Sequence, residues 1–232
     1  MNVKSLPWDS AFFDLDVGEL VIHGSNTATI EISNPFDLIY LKTSEESDIS
    51  LAHYNCTFSE IKVIFERTGL RKNKRIPAAI RSVFDGQHNL VELYELAEES
   101  GKYSRFHLDP KFSEVHFKNL FHTWIDNSLS KAFADGFLVC EVAAKTVGFV
   151  TYRTHTDHAT IGLIAIHATQ QGKGIGSQLI RGVENKLIES GITTLRIPTQ
   201  LKNEQACKFY KKLGYSPVET TEIKHFWRDP LQ

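Results

Sequence analysis

The residues of this chain that could do chemistry begin with a glycine-rich turn. From Ile161 to Ser190 the chain reads IGLIAIHATQQGKGIGSQLIRGVENKLIES. Ile161–Ile166 is a short Ile-rich run of the kind that makes a buried strand. Leu179, Ile180, Val183, Leu187 and Ile188 fall at helical spacing. A helix is therefore expected from about Gly176 to Ser190, stopped by Gly191. Between strand and helix lies Gln171-Gly172-Lys173-Gly174-Ile175-Gly176. The start of a helix leaves several backbone N–H groups without intrahelical partners, and the helix dipole adds positive charge there. Glycines let an anion approach the backbone closely. Such a turn suits phosphate oxygens, with Lys173 as a further contact.

The spacing decides which kind of phosphate site this is. A P-loop needs G-x-x-x-x-G-K-[ST], and here Gly174 follows Lys173. A dinucleotide fingerprint needs G-x-G-x-x-G, but counting from Gly172 or Gly174 ends on Ser177 or Leu179. The following apolar stretch, Thr193–Ile197, also ends without an acidic residue for a ribose. What fits is Q/R-x-x-G-x-G/A, with Gln171, Gly174 and Gly176 in place. This resembles the pyrophosphate-binding signature of the GNAT superfamily of acyl-CoA N-acyltransferases. Downstream, N-x-x-A-x-x-F-Y-x-x-x-G-Y (Asn203, Ala206, Phe209, Tyr210, Gly214, Tyr215) resembles the second signature of that superfamily. The two stand in the right order, one helix and one strand apart.

The resemblance implies an α/β fold with a mixed, mostly antiparallel sheet flanked by helices, acetyl-CoA as co-substrate and no metal. It also implies roles. The strand before the turn would splay from its neighbour, so that Ile164 and Ile166 offer backbone groups to the pantetheine and the Ile164 N–H faces the developing oxyanion. Gln171, Gly172, Lys173, Gly174, Ile175, Gly176 and Ser177 would hold the pyrophosphate. Asn203 would bind the pantetheine arm. Tyr210, with an ordinary phenol pKa of about 10, would protonate the departing thiolate. Glu60, in the alternating run Phe58–Glu66, would take the proton of the acceptor amine. Each also has a plainer reading: core packing for Ile164 and Ile166, an N-cap for Asn203, a packed aromatic for Tyr210, a solvent-facing carboxylate for Glu60.

The chain as a whole has 232 residues, enough for two small domains or one large one, with 26 Lys and Arg against 28 Asp and Glu. A balanced charge without a basic arm argues against nucleic acid as a partner. No apolar run is long enough to span a membrane, and the N-terminus lacks a signal-peptide core. Three scattered cysteines suggest a reducing, cytoplasmic setting. His155, His158 and His167 lack a metal-ligand spacing, and the first two are expected on a solvent-facing turn.

The elements that must position these groups follow in order. Strands are expected at Gly18–His23, Asp37–Lys42 and Phe58–Glu66, with a helix at Glu45–His53. Arg71–Arg75 is the one dense basic run, read as a solvated linker or a nucleotide-facing surface. Leu90–Ser100 and Lys111–Lys131 read as helices around a loop, Gly101–Pro110. Gly136–Ala143 and Val147–Arg153 read as hairpin strands, Thr193–Ile197 as a strand, Pro198–Lys202 as a polar loop. Asn203–Leu213 reads as a helix with Asn203 as N-cap, followed by a strand pair from Tyr215 to Trp227.

The opening W-D-S-x-F-F (Trp8, Asp9, Ser10, Phe12, Phe13), Ser104-Arg105-Phe106…Asp109-Pro110 and Trp124-Ile125-Asp126-Asn127 resemble the bacterial TDP-fucosamine acetyltransferase group of GNAT proteins. That implies residues 1–85 as a smaller N-terminal α/β unit on the acceptor side and 86–232 as the GNAT domain. It also implies a nucleotide-linked amino sugar of the dTDP-4-amino-4,6-dideoxyhexose type as acceptor. A polyamine, peptide or antibiotic acceptor, or a silent acyl-CoA-binding sensor, stays open. The aromatic content is compatible with a homodimer.

Overall fold

Two periodicities, of two and of 3.6 residues, build one large sheet and the helices on its faces. The computed structural model describes residues 2–24, 27–44, 47–72, 77 and 79–229. The chain runs β1 (Lys4–Ser5), α1 (Pro7–Phe13), β2 (Val17–Ile22), β3 (Thr27–Ile30), β4 (Leu38–Thr43), β5 (Asp48–Leu51), β6 (Tyr54–Arg67) and β7 (Ile80–Ser82). It continues through α2 (Leu90–Ser100), α3 (Arg105–Leu108), α4 (Glu114–Leu129), β8 (Gly136–Val142), β9 (Lys145–Thr154) and β10 (Ala159–Ile166). Last come α5 (Ile175–Glu189), β11 (Leu195–Gln200), α6 (Glu204–Lys212) and β12 (Ser216–Arg228).

Among the described residues the large sheet has the order β1-β2-β4-β12-β6-β11-β10-β9-β8-β7. Within it, among the described residues, only β2–β4 and β10–β11 pair in parallel. The mixed, mostly antiparallel sheet flanked by helices is thus the architecture of the chain. Strand β6 lies at its middle, paired along its length with β12 on one side and with β11 on the other. Through β12 the N-terminal strands β2 and β4 join the same sheet as β8–β11.

Three apolar clusters hold this together. Leu179, Ile180, Val183 and Leu187 of α5 pack with Tyr210 of α6 against Val63, Phe65, Leu138, Val150, Leu195 and Ile197 on one face. On the other, Leu93, Leu96, Phe106, Phe117, Leu120, Phe121 and Ile125 of α2–α4 cover Val17, Leu38, Tyr40, Phe137, Val139 and Phe149. The small β3–β5 sheet encloses Leu20, Ile39, Leu41 and Phe226 with Ile30, Ile49 and Leu51. Burial of such side chains is the main favourable term in folding.

Several local expectations are corrected. Glu45–His53 is not a helix: Asp48–Leu51 forms β5, because Ile49 and Leu51 alternate inward against the small sheet. Residues 45 and 46 lie outside the described residues. Pro198–Gln200 is strand rather than loop. The C-terminal strand pair is one strand, β12, kept continuous across irregularities at Pro217/Glu219 and His225/Phe226 by pairing with β6. The Gly101–Pro110 loop contains α3, capped by Ser104 Oγ accepting from the Phe106 N–H. His158 is half-buried rather than solvent-facing, stacked on His155 at 4.6 Å and bonded to Asp157. Of the basic run, residues 73–75 lie outside the described residues, while Arg71 and Lys72 are exposed. Helix α1, formed by the W-D-S-x-F-F segment with Pro7 at its first turn, was not expected.

Candidate active site

The site starts where two parallel strands part. β10 pairs with β11 only at Ala159↔Leu195 and Thr160↔Arg196. On its other side it follows β9 as far as Ile166↔Gly148, with an irregularity between Ile161 and Ile164. There the Leu163 N–H donates to Thr151 Oγ1 (2.9 Å), and a Cβ on Gly162 would stand 2.8 Å from that oxygen. The kink turns β10 away from β11, and the ladder between them does not resume. Beyond Thr160 the backbone of β10 lacks a strand partner on that side, as does β11, which explains how Pro198 is accommodated in it.

A cavity of about 520 Å³ opens in this wedge. It is lined by Ile164, Ala165 and Ile166, by the glycine turn, and by Asn203, Phe209 and Tyr210. Gly172 and Gly174 take φ of +76° and +82°, left-handed values that side chains resist. Gly174 caps α5 without a side chain, so the first N–H groups of the helix face the turn. Gln171 Nε2 donates to the Ile166 carbonyl (3.1 Å) and ties the turn to the end of β10. Gln171, Gly172, Gly174, Ile175, Gly176 and Ser177 all line the cavity. Lys173 does not; its ammonium donates to Gln170 Oε1 (3.0 Å). The basic groups on the lining are instead Lys102, Arg181 and Lys212, with Tyr103 beside them. Arg181 lies on the polar side of α5 and Lys212 at the end of α6, where charge carries no motif.

Asn203 caps α6, its Oδ1 accepting from the Ala206 N–H (3.1 Å), while it also lines the cavity. Tyr210 is 3% exposed, against Phe65 and Phe209. Burial pushes its phenol well above the ordinary range, so it stays protonated at neutral pH.

Glu60 does not line this cavity. It sits on β6 beyond the last β6–β11 pair, Lys62↔Gln200, where the Leu201 N–H still donates to the Ile61 carbonyl. It is buried rather than solvent-facing, at 6% exposure. Burial raises its carboxyl to about 7, against the pull of Arg105, Lys62 and Lys202. Its Oε2 has no hydrogen-bond partner. Around it stand groups that strand alternation alone did not single out. His225 and Asp109 form a buried pair, Nδ1 to Oδ2 at 2.6 Å, and Trp227 Nε1 (3.0 Å) and Thr57 Oγ1 (3.0 Å) also donate to Asp109. The Tyr40 ring packs on His225, and Arg105 lies over Tyr40 at 4.1 Å.

A splayed parallel pair, a glycine turn opening a helix, and a buried tyrosine on the next helix form one cleft. The model of the acetyltransferase (GNAT) family matches residues 90–215. The chain belongs to the GNAT family. Membership makes it an N-acetyltransferase domain that takes its acyl group from acetyl-CoA. The dTDP-fucosamine acetyltransferase of Escherichia coli is 24% identical over 230 residues, 95% of each chain. The spore coat polysaccharide biosynthesis protein SpsD of Bacillus subtilis is 25% identical over 133 residues, 57% of this chain and 46% of its own length. The chain thus spans about half of SpsD. A crystal structure of a GNAT-family acetyltransferase from Novosphingobium aromaticivorans shares the fold, with a TM-score of 0.58 at 14% identity, covering 85% of this chain and 77% of that one. Among the described residues of this GNAT protein no group of His, Cys, Asp or Glu is placed to hold a metal, and no helix is long and apolar enough to cross a membrane.

Proposed function

We propose that this protein transfers the acetyl group of acetyl-CoA to the amine of a nucleotide-activated amino sugar, of the dTDP-4-amino-4,6-dideoxyhexose type, in a ternary complex. The observation that carries the acceptor class is the alignment with dTDP-fucosamine acetyltransferase over 95% of both chains, which takes in the N-terminal strands bearing Glu60.

In this reading the glycine turn and the start of α5 bind the donor pyrophosphate, and Lys173 serves as a longer-range charge. Ile164 and Ile166 present backbone groups to the pantetheine and thioester carbonyl, and Asn203 binds the arm. Glu60, held at about 7, removes the proton of the sugar ammonium. The freed nitrogen attacks the thioester carbon, with the Ile164 N–H stabilising the oxyanion. The C–S bond breaks, Tyr210 gives its proton to the departing sulfur, and the second proton leaving the acylated nitrogen restores the phenol. Residues 1–85 shape the acceptor side and 86–232 carry the donor machinery.

Free-thiol release from acetyl-CoA tests this, with dTDP- and UDP-linked 3-amino and 4-amino hexoses, polyamines and short peptides as acceptors. Release with a nucleotide-linked amino sugar is expected. Release with polyamines or peptides alone would retain the donor site and overturn the acceptor assignment.

A further inference from the structure

The carboxylate at Glu60 is ringed by cations. On the face covered by α1 and α3, cross-strand register places Tyr40, His225 and Phe58 in one row. Lys42, Ile223 and Glu60 form the next row, and Thr221, Lys62 and Gln200 the one after it. Arg105 reaches over the first row from α3, with Nη1 buried and without a hydrogen-bond partner. Lys42 is taken up by an ion pair with Glu19. The Lys62 side chain is half-buried and, among the described residues, makes no hydrogen bond or salt bridge. Burial, then the charges of Lys42 and Arg105, push its ammonium below the ordinary range, against the weaker pull of Glu219 and Glu60. Asp9, the other carboxylate felt by Arg105, forms no salt bridge, and burial raises its pKa. Lys62 and Arg105 thus share a sheet face without ion-pair partners among the described residues, and Glu219 and Glu60 offset only part of their mutual repulsion. An anionic ligand of fixed place would relieve it.

We propose that Lys62 and Arg105 form an anion subsite of the acceptor pocket that takes the diphosphate linking sugar to nucleoside. The inference rests on the nucleotide-sugar reading and adds the residues that recognise it. Glu60 and Lys62 are two residues apart on one strand face, a separation of about 7 Å. A hexose ring spans that distance between an amine on one side and the first phosphate on the other. The planar guanidinium of Arg105 offers a fork for phosphate oxygens, and Lys62 a point charge.

The test is calorimetric titration of dTDP, dTMP, thymidine and inorganic pyrophosphate into enzyme saturated with CoA, so that the donor's own pyrophosphate site is filled. Diphosphate-dependent binding is expected, strongest for dTDP. Lys62→Ala should weaken it by about ten- to a hundred-fold, with CoA affinity unchanged and most of the loss recovered in Lys62→Arg. Arg105→Lys, which keeps a cation over Tyr40, should weaken it less. Circular dichroism and Tm establish that each variant folds. If wild-type enzyme binds dTDP and Lys62→Ala binds it equally, the subsite is refuted while the nucleotide-sugar reading stands. If nucleotide sugars are acetylated with KM unaffected by Lys62→Ala, the same holds. If dTDP does not bind and no nucleotide sugar releases thiol, both fall together.

Discussion

At the scale of single residues, the proposed chemistry rests on two groups, Tyr210 and Glu60, whose pKa values burial raises alike. Tyr210→Phe should lower kcat by about a hundred-fold or more, the usual contribution of a positioned general acid, while Kd for acetyl-CoA stays within error. Full turnover in that variant would remove Tyr210 from the mechanism. For Glu60 the expected signature is a rise of kcat/KM through about pH 7 as the carboxyl ionises. Glu60→Gln should lose that limb and recover rate only at basic pH, where the amine sheds its proton unaided. The sign for stability follows from the same burial. A carboxyl raised above its ordinary value is destabilising once ionised, so Glu60→Gln should raise Tm above pH 7 and leave it unchanged near pH 4. At Gly174 space is not the constraint, since a Cβ would meet nothing within 4 Å; its φ of +82° is. Gly174→Ala should strain the turn by about 1–2 kcal/mol and show mainly as weaker CoA binding in a titration.

At the scale of elements, α5 must be held firmly, because its first turn lines the cavity. Glu184 of α5 is 2% exposed and accepts from Arg67 Nη1 of β6 (3.1 Å) and from the Tyr215 hydroxyl (2.8 Å). This charged link ties the helix to the central strand and to the start of β12. Glu184→Ala should cost about 1–3 kcal/mol, since it leaves the buried Tyr215 hydroxyl without its acceptor. Chemical denaturation reads this as a lower midpoint with little change in slope. The parting of β10 and β11 is likewise a property of elements: two paired positions set the strands parallel, and the irregularity at Gly162 and Leu163 ends the pairing.

At the scale of the molecule, Asp109 clips the helical cover to the sheet. It follows α3, bonds His225 and Trp227 of β12 and Thr57 of β6, and accepts from the Lys111 N–H at 3.1 Å. Burial pushes the His225 imidazole down to about 4, outweighing the attraction of Asp109. For Asp109, burial acts upward, but the hydrogen bonds from His225, Trp227 and Lys111 prevail and the carboxyl lies below its ordinary value. Both depressed groups act with the same sign. Their contribution is complete above the unfolded histidine value of about 6.5 and is lost as pH falls, first through His225 toward 4 and then through Asp109. Glu60 acts with the opposite sign over the same window, so the fall in Tm between pH 6.5 and 4 should be read in the Glu60→Gln background. Asp109→Asn should lower Tm by about 10 °C at pH 7. A flat profile from pH 7 to 4 in the Glu60→Gln background would show that His225 titrates normally.

The elements that line the cavity were legible because they are local. The apolar run, the glycine turn, the helix after it and the capped helix bearing Tyr210 lie within one stretch of chain. Each follows from near-neighbour rules of period, capping and positive φ. Local rules failed where pairing partners decided the outcome. Asp48–Leu51 is a strand because β3 and the adjoining apolar face receive Ile49 and Leu51. Pro198 stays in a strand because β10 has left its side. β12 runs unbroken because β6 pairs with it throughout. Around Glu60, alternation indicated only that Phe58–Glu66 is a strand. That Tyr40, His225, Asp109 and Arg105 surround Glu60 depends on strand order and register between segments more than a hundred residues apart. Those are fixed only when the sheet closes around its core, because long-range pairing is selected by the total apolar surface it buries and by no single residue.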